Sequence, residues 1–174
     1  MNLYEIFENR RSIRKFDDTP IDEESLKKIL KIGLTSPTGN NLKTVDFILI
    51  QDKKTIIELS EIRKIGTKLL KTAGAAILVI ADASKSNLWI EDASIAMAYM
   101  HLASDAMGLG SCWVQMRTRD DVNGDDLESV LQERFDIPKH MKPLAILALG
   151  NITNNPKKLK QRQVDWQKVH MEKY

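Results

Sequence analysis

A run of basic residues near the N-terminus contains the side chains best suited to bind a ligand. Arg10, Arg11 and Arg14 are close enough in sequence to converge on one anion, and guanidinium groups form paired hydrogen bonds with phosphate. Ser12 adds a neutral hydroxyl of the kind that completes such a cradle. A solvated basic turn at the C-terminal end of a helix, where cations favour the helix dipole, explains the run equally well. From the run alone, both interpretations stay open.

The other reactive residue types do not form a site by their spacing. None of the three histidines is paired with a second ligand at the spacing of a metal site. These histidines are His101, His140 and His170. Cys112 is the only cysteine, so an internal disulfide is excluded and a small buried side chain is expected. Glu91 and Asp92 could act as a carboxylate pair, although the first turn of a helix also favours acidic residues.

Two glycines lie between a predicted apolar helix and a predicted strand. This order is the reverse of dinucleotide-binding folds, in which the glycines end a strand and begin a helix. Trp113 also occupies the place of the third glycine in that fingerprint. A helix C-cap at Gly108 and a tight start of the strand at Gly110 explain both residues. Without an evident nucleophile, acid–base pair or metal site, an enzyme built from this chain would depend on a bound cofactor.

Length and charge limit the possible classes of protein. The 174 residues fit one domain, predicted to span 1–174, and the net charge of +2 gives no reason to expect nucleic-acid binding. The longest apolar stretch, residues 90–109, contains acidic residues and a histidine, so it predicts a core helix and no membrane span. The first five residues lack an apolar signal region, which predicts a cytoplasmic protein.

Hydrophobic periodicity predicts an α+β fold that positions these residues. Asp22 is the expected N-cap of the second helix. Helices are predicted at residues 3–7, 26–34, 53–60, 61–72, 88–107 and 125–135, and strands at 45–50, 75–81, 111–116 and 144–149. The charged tail from residue 157 to residue 174 carries Trp166, Val169 and Tyr174, and we expect it to lie across another surface, for which a second subunit is a natural candidate.

Several segments occur together in an order that is typical of one family. They are Arg10–Phe16, Ser36–Thr38 with Asn41, Trp89–Ala96, Gly108–Trp113, and Lys160 and Arg162 with Val169–His170. Together they resemble the FMN-dependent nitroreductase family in its short, single-domain form, over nearly the whole chain. The resemblance favours the phosphate-binding interpretation of the basic run over the solvated turn.

The resemblance implies a fold, an assembly and a cofactor. The fold is nitroreductase-like, with a central mixed or antiparallel sheet flanked by helices and a C-terminal arm exchanged between chains. The assembly is a homodimer that holds noncovalent FMN in two clefts, each built from both subunits. NADH or NADPH would be the electron donor.

The resemblance also assigns roles by position in the family's motifs. The N-terminal run would hold the phosphate, the ribityl chain and the pyrimidine edge of the flavin, and Arg14 is the candidate for stabilising the anionic reduced ring. The loop residues would lie near the flavin or the substrate, the segment after the glycines would pass along the isoalloxazine, and the tail cations would close over the phosphate. The residues of the N-terminal run are Arg10, Arg11, Ser12 and Arg14, and those of the loop are Asn41 and Lys43. The segment after the glycines is Gln115, Met116 and Arg117, and the tail cations are Lys160 and Arg162.

The activity implied by the family is ping-pong hydride transfer through flavin N5 to small organic acceptors such as nitroaromatics or quinones. One alternative is a flavin-binding sensor without physiological turnover. Another is a different flavin reaction, dehalogenation or flavin fragmentation, although this short chain has little sequence for the lid of such relatives. Thr44 and Val45 replace a Pro–Trp pair found in many relatives. Valine in place of tryptophan would widen the cleft if the side chain at position 45 lines it.

Overall fold

The computed structural model describes residues 3–153 and 163–174. Within these residues, five α-helices lie against one four-stranded sheet. The helices are α1 (Leu3–Asn9), α2 (Glu23–Leu34), α3 (Lys53–Glu61), α4 (Trp89–Ala106) and α5 (Leu127–Arg134). The strands are β1 (Val45–Ile50), β2 (Ala75–Asp82), β3 (Leu109–Gln115) and β4 (Met141–Asn151). Short 3-10 turns lie at Gly39–Asn41, Lys68–Thr72 and Trp166–Lys168.

The sheet has the strand order β1-β2-β4-β3, and every neighbouring pair is antiparallel. In β4, Leu147 pairs with Ile77 of β2 on one side and with Trp113 of β3 on the other. All eight residues of β2 are buried, as its continuous apolar sequence predicts. The expected α+β class with a sheet flanked by helices is therefore confirmed, and the sheet itself is antiparallel.

Two clusters of apolar side chains cover the two faces of the sheet. One contains Leu26 of α2 and Met97 of α4, and the other contains Ile56 of α3 and Leu131 of α5. Each of these four side chains has no exposed surface. Burying a side chain of this size contributes about 1.5–3 kcal/mol, so the two clusters hold the helices in place on the sheet.

Aspartates begin three of the helices. The side chain of Asp22 accepts a hydrogen bond from the amide of Ser25 at 2.8 Å, which confirms the predicted N-cap of α2. Asp52 and Asp126 cap α3 and α5 in the same way. A cap of this kind stabilises a helix by about 1 kcal/mol because it satisfies an amide with no partner inside the helix.

The segment after α1 lies along β3 and β4. The amide of Ile13 donates to the carbonyl of Ser111 at 2.9 Å, and Phe16 forms an isolated bridge with the end of β4. A Cβ atom on Gly110 would lie 2.9 Å from Ile13, and one on Gly150 would lie 2.5 Å from Phe16. The two glycines therefore allow the basic segment to approach the sheet closely.

One predicted helix is wrong. Glu61 is the last residue of α3, and residues 62–72 contain only the 3-10 turn Lys68–Thr72, because the chain turns away after α3. Gly66 has a φ of +95°, which an α-helix does not allow, and the hydroxyl of Thr67 donates to the carbonyl of Ser60 at 3.0 Å. In the part of the chain that the structure describes, no helix has both the length and the apolarity to cross a bilayer.

Candidate functional site

Arg10, His101 and Ser111 form a chain of hydrogen bonds between the basic segment, α4 and β3. Nη1 of Arg10 lies 2.8 Å from Nε2 of His101, and Nδ1 of the same ring is hydrogen-bonded to the hydroxyl of Ser111. A guanidinium can only donate hydrogen bonds, so Nε2 of His101 must accept and Nδ1 must carry the proton. The ring is therefore a neutral histidine that joins Arg10 to a buried serine.

The surroundings keep His101 neutral. Burial lowers the pKa of His101 to about 4, and the positive charge of Arg10 acts in the same direction. Burial also raises the pKa of Asp105, one helical turn further along α4, while the charges of Arg10 and Arg11 oppose that rise. At neutral pH the imidazole can therefore serve as a hydrogen-bond acceptor for Arg10.

The remaining residues of the basic segment have different surroundings. Burial raises the pKa of the Cys112 thiol, while the charge of Arg14 and a hydrogen bond with Ser12 oppose that rise. Ser12 and Arg14 thus lie beside the start of β3, and Cys112 is the buried side chain expected from the sequence. Nη1 of Arg11 donates to the carbonyls of Glu8 and Arg10 at 2.5 and 2.9 Å, the contacts expected of a cation at the end of a helix.

The loop before β1 is held by a carboxylate whose role the sequence did not reveal. Asp92 accepts from the amide of Gly39 at 2.8 Å and from the hydroxyl of Thr44 at 3.0 Å. It is only 3% exposed, although it also belongs to the acidic first turn of α4. Asn41 and Lys43 are exposed on this loop with φ angles of 56° and 50°, so their side chains project from a backbone that Asp92 anchors.

The Thr44–Val45 pair belongs mainly to the interior of the chain. Thr44 is bonded to Asp92, and Val45 packs in the core cluster that contains α2 and α4. Val45 also borders a groove of about 220 Å³ together with Lys43. A larger side chain at Val45 would therefore press against both the core and this groove.

The end of β3 holds the third predicted group. The side-chain amide of Gln115 is engaged on both sides, accepting from Trp113 Nε1 at 2.8 Å and donating to the Arg117 carbonyl at 2.9 Å. The side chain of Met116 is buried in the core, so only its backbone could face a ligand. The guanidinium of Arg117 lies 5.7 Å from the ring centroid of Trp89, the first residue of α4.

The predicted site residues thus fall into two groups in one chain. Arg10 lies against His101, in the second half of α4, and Ser12 and Arg14 lie beside the start of β3. The loop residues and Arg117 lie near the start of α4. Along α4, Asp92 and His101 are nine residues apart, which is about 14 Å at about 1.5 Å per residue. Predicted residues Lys160 and Arg162 lie outside the described residues.

An exposed apolar surface lies next to these groups. Tyr4, Phe7, Ile95 and Tyr99 are between 37% and 80% exposed on α1 and α4. A groove of about 410 Å³ runs between these helices and α2, and its lining is almost entirely apolar. We call this surface, formed by α1, α2 and α4, the apolar face. The segment from residue 163 to residue 174 is also exposed throughout, including Trp166 and Tyr174.

Fold and site together define an α+β protein whose basic N-terminal segment is fixed on the sheet beside α4. The family model described as "Nitroreductase family" matches residues 7–73 and 61–151. An FMN-dependent nitroreductase from Clostridium difficile R20291 has a similar structure, with a TM-score of 0.92 and 36% identity over 99% of this chain and 100% of that chain.

Two curated relatives have similar sequences. A Methanothermobacter thermautotrophicus protein, whose name NADH dehydrogenase/NAD(P)H nitroreductase is provisional, is 30% identical over 100% of this chain and 88% of its own length. The FMN reductase [NAD(P)H] of Bacillus subtilis is 25% identical over 94% of this chain and 72% of its own length.

The chain belongs to the nitroreductase family. The family and the enzyme class predicted from the sequence, an oxidoreductase of nitroreductase type, are therefore confirmed.

Proposed function

We propose that the protein is an FMN-dependent NAD(P)H oxidoreductase that reduces small organic acceptors such as nitroaromatics or quinones. The observation that carries this proposal is the placement of Arg10, Ser12 and Arg14 on one segment of backbone that is fixed against β3. The descriptions of the Clostridium difficile and Bacillus subtilis relatives, which name FMN, support the choice of cofactor.

The donor set suits the chemical groups of FMN. Arg10 would bind the phosphate, Arg11 and Ser12 the ribityl chain, and Arg14 the pyrimidine edge, where negative charge accumulates on reduction. FMN, when bound, would supply hydride transfer through its N5 from NADH or NADPH to the acceptor, in a ping-pong cycle. The protein's own part is to orient the ring and to place positive charge beside it.

The second group of residues would act at the ring. Asn41 and Lys43 project from the loop that Asp92 anchors, so their positions are set by the folded core. Arg117 is held over Trp89, and Gln115 has its amide fixed by Trp113. These fixed side chains suit a surface against which a flat ring lies. Lys160 and Arg162 would close over the phosphate.

We further propose that the active form is a homodimer with an FMN site in each of two interface clefts. The residues proposed to bind the phosphate lie near the second half of α4, and those proposed to bind the ring lie near its start. A partner chain could therefore supply one of these two sets of residues to each site. The apolar face would be buried between the subunits, since large apolar patches usually mark interfaces. The C-terminal arm, with Trp166 exposed, would cross to the partner. Each chain would act as a single domain, 1–174.

Visible spectroscopy of the purified protein tests the proposed function. We expect flavin absorption bands, their anaerobic loss on addition of NADH or NADPH, and their return when a nitroaromatic or a quinone is added. A colourless protein that does not take up FMN would refute the proposal. Bands that neither nucleotide bleaches would favour a flavin-binding sensor. Comparing the two bleaching rates identifies the preferred donor.

A further inference from the structure

The ring of His101, on α4, joins the basic segment to the sheet. Its Nε2 accepts from Arg10 at 2.8 Å, and its Nδ1 donates to Ser111. Ser111 is 2% exposed and is fixed by β3, where its carbonyl also accepts from the amide of Ile13. The orientation of the Arg10 side chain is thus tied to the sheet through two successive hydrogen bonds.

This connection matters because an arginine side chain is flexible. Holding a flexible arginine in one rotamer costs conformational entropy, and a ligand that uses the arginine must supply the corresponding free energy. The bond to His101 engages one of the five N–H donors of Arg10 and fixes the direction of the guanidinium. The remaining donors then point in a direction that the protein sets.

A nearby carboxylate makes the histidine more important. Asp105 lies four residues after His101, on the same side of α4, and it feels the charges of Arg10 and Arg11. Without an acceptor at position 101, Arg10 could turn to Asp105, and a paired guanidinium is a poorer phosphate ligand. A neutral histidine can hold Arg10 without neutralising its charge.

We infer that His101 is a positioning residue that aims Arg10 at the phosphate of FMN, with Ser111 fixing the histidine ring. This inference rests on the proposed function, because the phosphate is that of the proposed cofactor. The proposed role of His101 involves only the phosphate of FMN. Removal of the histidine should therefore weaken binding of FMN and leave binding of riboflavin, which lacks the phosphate, unchanged. A residue that merely filled space in α4 would affect both ligands.

Dissociation constants of FMN and riboflavin, measured by flavin fluorescence quenching with full-length protein stripped of flavin, test this inference. In His101→Leu we expect the dissociation constant of FMN to rise about tenfold, as is typical for residues coupled in one network, and that of riboflavin to stay the same. His101→Gln, whose side-chain oxygen can accept from Arg10, should recover most of the affinity. His140→Leu, at an exposed histidine in the loop before β4, is the matched control and should bind both ligands normally.

Two further variants keep the test decisive if His101→Leu does not fold. Ser111→Ala should weaken FMN binding about threefold with no change for riboflavin, because the ring loses its second anchor. In an Arg10→Ala background, Ser111→Ala should have no further effect on FMN affinity, because the ring no longer has Arg10 to hold. Equal losses for both flavins, or additive effects in the double variant, would overturn the inference.

The wild-type protein separates failure of this inference from failure of the proposed function. A wild type that binds FMN no more tightly than riboflavin overturns both. A wild type that prefers FMN, together with a His101→Leu variant of unchanged preference, overturns only the role of His101.

Discussion

Arg10 and Arg14 are the side chains on which the proposed cofactor binding depends most. Replacing either one by alanine should weaken FMN retention, so that the variants purify with less bound flavin than the wild type. Each loses charged hydrogen bonds to the cofactor, worth about 1.5–3 kcal/mol, which corresponds to roughly a 10- to 150-fold loss of affinity. The ratio of flavin to protein absorbance measures the effect. Lys15→Ala, at the exposed neighbouring cation, is the control. Two fully yellow variants with unchanged affinity would contradict the site assignment.

The lowered pKa of His101 also predicts how the stability of the protein depends on pH. Its pKa of about 4 in the folded chain is below the ordinary value of 6.5, because it is buried next to Arg10. Between these values the unfolded chain binds the proton and the folded chain does not, so stability should fall as the pH drops from about 6.5 towards 4. One group gives at most about 1.4 kcal/mol per pH unit, and partial exposure of the ring to solvent reduces this value.

Urea unfolding at pH 7.5 and pH 5 measures this effect. Among the described residues, the charge that acts on the ring is that of Arg10. Arg10 remains in the variant His101→Gln, as does Asp105 one turn further along α4. The wild type should therefore lose more stability between the two pH values than His101→Gln does. An equal loss in both proteins would show that His101 does not take up the proton on unfolding.

The residues that sequence analysis missed are those whose partners are distant in the chain. Arginines and a serine in one short run made an anion site one of two open interpretations, and the family resemblance favoured it. His101 lies in an apolar helix with no metal ligand nearby, and its partner Arg10 is 91 positions away. Asp92 resembled an ordinary first-turn acid because Gly39, which it holds, is 53 positions away. Such contacts follow from tertiary docking, which spacing along the sequence does not contain.

Among the elements, the loop at Gly39–Asn41 depends most clearly on one distant carboxylate. Its backbone is strained, since Asn40, Asn41 and Lys43 all have positive φ angles. Asp92→Ala should lower the free energy of unfolding by about 1–3 kcal/mol, because it leaves the buried Thr44 hydroxyl without its acceptor. Thermal unfolding followed by circular dichroism measures the change.

The adjacent acid provides a matched control for this prediction. Glu91→Ala removes the same charge from the first turn of α4, but Glu91 is exposed. It should cost no more than the helix-dipole contribution, about 0.3–1 kcal/mol. If Glu91→Ala and Asp92→Ala lower the melting temperature equally, the loop does not depend on Asp92.

Elements with strong local patterns could be predicted from the sequence. The continuous apolar run of β2 and the small, apolar residues of α4 indicated burial, and Asp22 marked the start of α2. The segment from residue 61 to residue 72 had enough apolar residues to suggest a helix, but Gly66 adopts a left-handed φ and ends the pattern. The strand order was beyond prediction, because β3 and β4 pair across an intervening helix, α5.

At the scale of the whole molecule, the exposed apolar surface has the character of an interface. A stable protein interface buries about 800 Å² on each partner, which the apolar face and the C-terminal segment could supply together. The two groups of site residues near opposite ends of α4 give a reason for association beyond stability. One chain would provide the grip on the phosphate, and the other would provide the surface for the ring.

A charge placed in the apolar face tests this arrangement. Tyr99, on α4, is 42% exposed and lines the apolar groove, so Tyr99→Glu should leave the fold intact but oppose burial against a second chain. We expect its mass in sedimentation equilibrium to be half that of the wild type, with bound FMN lost in parallel. Ile65→Glu, at an 80% exposed apolar residue on the loop after α3, is the control and should remain dimeric and yellow. A monomeric Tyr99→Glu protein that keeps its FMN would mean that one chain holds the whole site, and a wild type that is itself monomeric would exclude the shared cleft altogether.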